Sequence, residues 1–318
     1  MSPLNITNGL NLLTELNALY RQEMPHPQSS LAIAAEYHFN NLGKCFRAQL
    51  TLTSGSSLGL NTVDHLRCAA ACELLHNAFF IYDDISDASG QKSIHQHFGP
   101  DMALCLGDWM VAKAFELGAR NQEYSGVLVA LLAQAMQDTC SGQISDITQR
   151  QCAELTQWQK IAKGKTAPLL IAPIKGAAIA AGLGPDIKGL EHLIGLCDLA
   201  YQGRNNIDDI IPSSHRSSDL DGRKPNLVVS LFAKRGAGCE DFVSWYQSED
   251  TQQLGQWQRR IAASDIILEA NQLVDYWLLE AEQLVSSLPI QLHAVTQSLV
   301  AAVKQKIEID IEHQGQIA

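Results

Sequence analysis

Two stretches of this chain place carboxylates where an apolar helix would normally exclude them. The segment CELLHNAFFIYDDISD, residues 72–87, is apolar until it ends in Asp83, Asp84 and Asp87. Asp83 and Asp87 are four residues apart, so on a helix they share one face a turn apart. Like charges repel at that spacing, and a helix C-terminus disfavours negative charge. A hard divalent cation with oxygen ligands offsets both effects. The second stretch, LAYQGRNNIDDIIP at 199–212, has Asp208 and Asp209 interrupting an apolar face, with Asn205 one turn before Asp209. Facing each other across a cavity, two such clusters would hold several Mg²⁺ ions and clamp a diphosphate, because Mg²⁺ shares its coordination between carboxylates, waters and phosphates. A diphosphate neutralised in this way becomes a leaving group. An allylic substrate then ionises to a carbocation in an apolar, water-poor site.

The elements that must carry these groups read as helices. Apolar residues recur at i, i+3, i+4 and i+7 in VLVALLAQAM (127–136) and LEHLIGLCDL (190–199), and no run of alternating β-branched residues stands out. Pro25 and Pro27 close an N-terminal helix, the GLGP at 182–185 separates two helices, and 213–222 reads as a polar loop. No segment has the composition of a flexible linker and no period repeats. The expected architecture is therefore all-α: a single domain over residues 1–318, ten or more helices bundled around a central cavity. The 318 residues include 23 Lys and Arg against 34 Asp and Glu, a net charge of −11. An acidic chain is a poor nucleic-acid binder, since that affinity comes from clustered cations. Eight cysteines without a C-x-x-C pair suit a reducing compartment, and Cys68, Cys72, Cys105 and Cys197 sit in apolar helical stretches as small hydrophobes. No signal peptide and no run of roughly 18 apolar residues is visible, so the expectation is a soluble cytoplasmic protein without an integral membrane segment.

With these residues in view, the chain resembles the trans-isoprenyl diphosphate synthase (polyprenyl synthetase) family from about Leu42 to Val229, in the right order. Asp83-Asp84-Ile85-Ser86-Asp87 resembles the family's first aspartate-rich motif, D-D-x-x-D. Gly43-Lys44-Cys45-Phe46-Arg47 is similar to its G-K-x-x-R, and Glu73-Leu74-Leu75-His76 to its E-x-x-H. The resemblance implies that Lys44, Arg47 and His76 bind the diphosphate of isopentenyl diphosphate. Gly107-Asp108, Gly142-Gln143 and Lys165-Thr166 resemble further family pairs, Asp208-Asp209 stands where the second aspartate motif begins, and Lys224 matches a later lysine. It implies substrate contacts at Gln143, Lys165 and Lys224, with Lys165 reaching the allylic diphosphate. It also implies metal ligands at Asp83, Asp87, Asp208 and Asp209, an accessory role for Asp84, about three Mg²⁺ per active site, isoprenoid diphosphate substrates and a homodimer. Phe79 and Ala78 occupy the positions that form the family's pocket floor. A bulky Phe79 then limits products to about 10 to 20 carbons.

The chain also departs from that pattern. The Arg-Arg-Gly usual after the first motif is missing, and Lys92 is the only cation nearby; an ammonium does not reproduce a bidentate guanidinium. Pro212 replaces the third acid of the second motif, where it cannot be a ligand and should end or kink the helix. The C-terminus, IEIDIEHQGQIA, is not basic. A prenyltransferase joining isopentenyl diphosphate to an allylic diphosphate is the leading expectation. One alternative is a terpene cyclase-like or diphosphate-releasing enzyme, which the spacing of Asn205, Asp209 and Ser213 would fit. The other is a catalytically silent subunit.

Overall fold

The computed structural model describes residues 6–41, 45–86, 93–122, 124–149, 154–183, 187–211, 217–235, 238–248 and 250–315, without side chains at 6–12 and 308–315. The described residues form helices and no strand. In chain order these are α1 Ile6–Glu23, α2 Ser30–Asn40, α3 Phe46–Leu58, α4 Thr62–Ser86, α5 Ile94–Phe98, α6 Pro100–Ala119, α7 Ser125–Thr148, α8 Leu155–Thr166, α9 Pro168–Ala180, α10 Leu190–Ile210, α11 Ser218–Gly222, α12 Leu227–Arg235, α13 Cys239–Gln247, α14 Leu254–Ala262, α15 Ile266–Val285 and α16 Ile290–Gly315. The all-α expectation holds. The polar stretch before Gly222 is a correction: its second half is α11. Ser217 starts that helix by accepting a hydrogen bond from Leu220 N at 3.1 Å.

Contacts divide the chain into two compact units. The first comprises the residues up to Met136 with Leu169–Ile187, and the second comprises Gln137–Pro168 with everything from Lys188 on. In the first unit α4 is the central helix, packed most extensively on α6 and next on α3. Every residue from Cys68 to Leu75 is buried, which explains why the segment is apolar all round. Gly107 of α6 makes the α4 contact possible, because a Cβ there would lie 2.5 Å from the Tyr82 ring. Tyr82 in turn donates to Asp108 Oδ1 at 2.7 Å. Below Phe79 on α4, Cys68, Ala71 and Cys72 line a small cavity with Leu117, Leu128 and Ala172.

In the second unit α10 has the corresponding place. Leu193 to Ala200 are all buried, and α15, α8, α16 and α12 pack around it. Here α7 and α8 approach backbone to backbone. A Cβ on Gly142 would meet the Gly164 carbonyl carbon at 2.1 Å, so position 142 needs glycine, while a Cβ on Gly164 would stand 3.2 Å from Gly142 Cα, a tight fit. Cys68, Cys72 and Cys197 are buried as expected, but Cys105 is exposed, as is Cys140. The apolar look of α6 hid an outward stripe of Asp101, Leu104, Cys105 and Asp108. Among the described residues, no helix is long and apolar enough to cross a membrane.

Candidate functional site

The first unit gathers one group of the expected residues on α3 and α4. Arg47 lies in the first turn of α3, just after Cys45, which adopts a left-handed φ of 47°. Glu73, 4% exposed, receives Ala48 N on Oε2 at 2.8 Å and so ties the start of α3 to α4. Burial pushes the Glu73 carboxyl up, against the pull of the Ala48 N–H and the Arg47 charge. Asn77 donates to Glu73 O at 2.7 Å, and its Oδ1 pairs with His38 Nε2 at 2.8 Å. His76 is held well below its ordinary value, first by burial, then by the Arg47 and His38 charges. Arg47 and His76 are thus electrostatic neighbours, a fixed cation beside a neutral imidazole. Lys44 lies outside the described residues.

One and two turns further along α4 stand Phe79, 8% exposed, and then Asp83 with Asp84, both partly exposed in the last turn before Ser86. Asp87 and Lys92 lie outside the described residues.

The second unit gathers the remainder, with each acid already engaged. Asp208 is ion-paired to Arg204, one turn earlier on α10. Asp209 accepts Ser218 N and Ser218 Oγ at 2.9 Å each, Asp219 N at 3.2 Å, and the Ser217 hydroxyl. Its carboxylate therefore caps α11, which starts nine residues later in the chain. Lys165, at the end of α8, donates to Asp146 Oδ2 at 3.0 Å. The glycine contact of α7 with α8 sets that meeting, since Asp146 is one turn past Gly142 and Lys165 follows Gly164. Gln143 is 8% exposed on the same part of α7, and Thr166 accepts from Gln202 of α10 at 2.8 Å. Lys224 is fixed through its backbone: its N–H donates to Asp219 O at 2.9 Å, and its carbonyl accepts Tyr246 Oη at 2.6 Å. Arg223 beside it has φ 54° and lies over the Trp245 ring at 4.0 Å.

Two acids here escaped the sequence reading. Asp146 is three residues after Gln143, a spacing that puts both on one face and could have flagged it. Asp219 is pushed up to about 7, first by burial, next by the Asp209 charge and more weakly by Asp146, with Asn226 and Lys224 acting in the opposite direction. It links Asp209, Lys224 and Asp146 into one electrostatic group. Among the described residues, no three His, Cys, Asp or Glu side chains converge as a ready-made metal cage. Partly exposed, hard oxygen donors in pairs fit a cation that brings its own waters and phosphate oxygens, which is how Mg²⁺ is usually bound.

Known proteins share this framework. The polyprenyl synthetase family pattern matches residues 28–255. The chain is 31% identical over 222 residues to a short chain isoprenyl diphosphate synthase of Methanothermobacter thermautotrophicus, covering 65% of this chain and 68% of that protein. It is 26% identical over 251 residues to a geranylgeranyl pyrophosphate synthase of Geoglobus acetivorans, covering 74% and 77%. A crystal structure of a decaprenyl diphosphate synthase from Rhodobacter capsulatus has the same fold, with a TM-score of 0.83 at 19% identity over 94% of this chain and 96% of that one. The aspartate-ended helices, the Arg47–His76 pair and a family match over most of the sequence agree: the chain belongs to the polyprenyl synthetase family.

Proposed function

We infer that this chain, a prenyltransferase by its family, condenses isopentenyl diphosphate with an allylic diphosphate and releases pyrophosphate. The observation that carries the choice is the Arg47–His76 group. An enzyme ionising a single substrate has no use for a second anion site, yet the Arg47 charge lies beside a neutral His76, with Glu73 tying the start of α3 to α4. In this reading Arg47 grips the isopentenyl diphosphate, with Lys44 beside it and His76 donating an uncharged hydrogen bond. Asp83, Asp87 and Asp208 would hold the cations that neutralise the allylic diphosphate, with Asp84 and Asp209 as accessories. Lys165 and Lys224 bind its phosphate oxygens, and Gln143 contributes a polar contact. Bound Mg²⁺ would supply the charge neutralisation that makes diphosphate a leaving group. The allylic C–O bond breaks, the isopentenyl double bond attacks the cation, and the pyrophosphate takes the proton lost from the new chain. Positioning and electrostatics provide the catalysis, with no covalent protein nucleophile.

Phe79, with Ala78 beside it, limits the growing chain, and products of about 10 to 20 carbons are expected. A single working domain, a homodimer and a cytoplasmic setting complete the reading. The test is to incubate the purified protein with Mg²⁺ and dimethylallyl, geranyl or farnesyl diphosphate, each with and without isopentenyl diphosphate, and to identify products by mass spectrometry. Longer diphosphates that require both substrates, with turnover reduced about a thousandfold in Asp83→Ala, support the condensation. Hydrocarbons or alcohols made without isopentenyl diphosphate would replace it with the cyclase-like alternative.

A further inference from the structure

We propose that Asn206 is a positioning residue for the allylic half of the reaction, its carboxamide tying α8, α10, α11 and α12 into the arrangement that presents Lys165, Asp208 and Lys224. The inference rests on the condensation reading above and assigns a role that neither aspartate motif contains.

The contact set is specific. Asn206 Oδ1 accepts from Trp158 Nε1 of α8 at 2.9 Å and from Leu227 N of α12 at 2.9 Å. Its Nδ2 donates to Asp219 Oδ2 of α11 at 3.1 Å. The amide can be oriented only one way, because both neighbours of Oδ1 are pure donors and the neighbour of Nδ2 is a carboxylate. Asn226, fully buried, completes the knot. Its Oδ1 accepts Val228 N at 2.9 Å and Val229 N at 3.2 Å, capping α12, while its Nδ2 donates to Asp219 Oδ2 at 2.8 Å and Asn206 O at 3.3 Å. Asp219 Oδ2 thus receives both carboxamides. Trp158 is 2% exposed and stacks on Trp277 of α15 at 5.8 Å, so the indole cannot move to another acceptor without repacking.

Each tied element carries a residue of the proposed chemistry nearby. Trp158 is two turns before Lys165 on α8, and Asn206 is two residues before Asp208 on α10. Asp219 accepts Lys224 N through its carbonyl and donates its own N–H to Asp209. Leu227 is three residues after Lys224. Loss of the Asn206 amide would leave a buried indole N–H and a helix-start N–H unpaired, and the elements would shift to satisfy them. Arg47 and His76 belong to the other unit and make none of these contacts.

The test compares Asn206→Asp, Asp219→Asn and the double variant N206D/D219N. The single change at 206 sets two carboxylates against each other. The double variant returns one donor and one acceptor to the 206–219 contact at unchanged net charge, while giving up the bond that Asp219 Oδ2 accepts from Asn226 Nδ2. Expected are a rise of about tenfold or more in KM for the allylic diphosphate in Asn206→Asp, a KM for isopentenyl diphosphate within about twofold of the parent, and recovery of part of the loss in the double variant. The indole N–H resonance of Trp158, assigned by its disappearance in Trp158→Phe, should move in Asn206→Asp and return in the double variant. Trp158→Phe keeps the ring packing and removes one donor. It should shift the same KM by about threefold, and it carries the test should Asn206→Asp not fold. Equal loss for both substrates, no recovery in the double variant, or an unmoved indole resonance would overturn the proposal. A parent protein that condenses nothing would instead remove the prenyltransferase reading on which it stands.

Discussion

The central helices α4 and α10 end alike, in paired aspartates after a run of consecutive buried residues, but the surroundings treat those endings differently. Around α4 the polar groups are controlled by burial. Glu73 is pushed up, His76, His38 and His65 are pushed down, and one cation, Arg47, is fixed among them. Around α10 three of the acids are controlled by pairing, Asp208 with Arg204, Asp146 with Lys165, and Asp209 with the start of α11, and Asp219 alone of the group is shifted first by burial. Neutralising by burial keeps a residue in a chosen protonation state, while neutralising by pairing keeps it in a chosen place. The first suits selective recognition of one diphosphate. The second suits a set of carboxylates and lysines that must be in position before a highly charged group arrives.

Glycine substitutions should separate the two kinds of support with the largest effect. Gly142→Ala drives a methyl into the Gly164 backbone, which cannot swing aside, and should cost about 3 kcal/mol in urea unfolding. Gly107→Ala meets the Tyr82 ring, which can rotate by giving up its bond to Asp108, and should cost about 1 kcal/mol. Equal costs would break the contrast. A smaller effect is expected from Arg47→Lys, which exchanges a planar fork for a point charge. KM for isopentenyl diphosphate should rise about tenfold, with KM for the allylic substrate unchanged. A parallel rise in both would show that the α3–α4 group is not selective.

The smallest effect is in the pH dependence of stability. The depressed histidines bind fewer protons folded than unfolded, so their contribution is present above about pH 6.5 and is lost as pH falls below it. Asp219 has the opposite sign. Folded, it keeps its proton up to about 7, whereas unfolded it releases it near 3.9, so its contribution falls as pH rises between those values. In melts from pH 4 to 8, His76→Gln should flatten the acid-side loss, and Asp219→Asn should remove the decline toward neutral pH. The slope change is at most about 1.4 kcal/mol per pH unit for one proton. Identical profiles for the two variants would show that the units do not differ in this way.

Helix content and the two aspartate turns were legible in the sequence because both are local: apolar period and i, i+4 spacing depend only on neighbours along one helix. Pro212 correctly marked the end of α10, whose last residue is Ile210. The pairing network was not legible. Asp146 meets Lys165 across 19 positions, and Asn206 meets Trp158 across 48, through helix crossings that no spacing rule announces. The α11 helix was missed for the same reason. Five residues with a single apolar one, Leu220, have no helical signature, and the group that stabilises their first turn, Asp209, lies earlier in the chain. Cys105 was misjudged because α6 is apolar on several faces, and composition does not reveal which face is covered.

That exposed thiol has a practical consequence. Cys105 belongs to the first unit and Cys140 to the second, and both are open to reagents, while Cys68, Cys72 and Cys197 are shielded. With Cys45, Cys152 and Cys239 changed to serine, a spin label or fluorophore pair could be attached at 105 and 140 without engineering a new site. The distance between those labels, followed while diphosphate and cation are added, would report whether substrate binding draws the two units together.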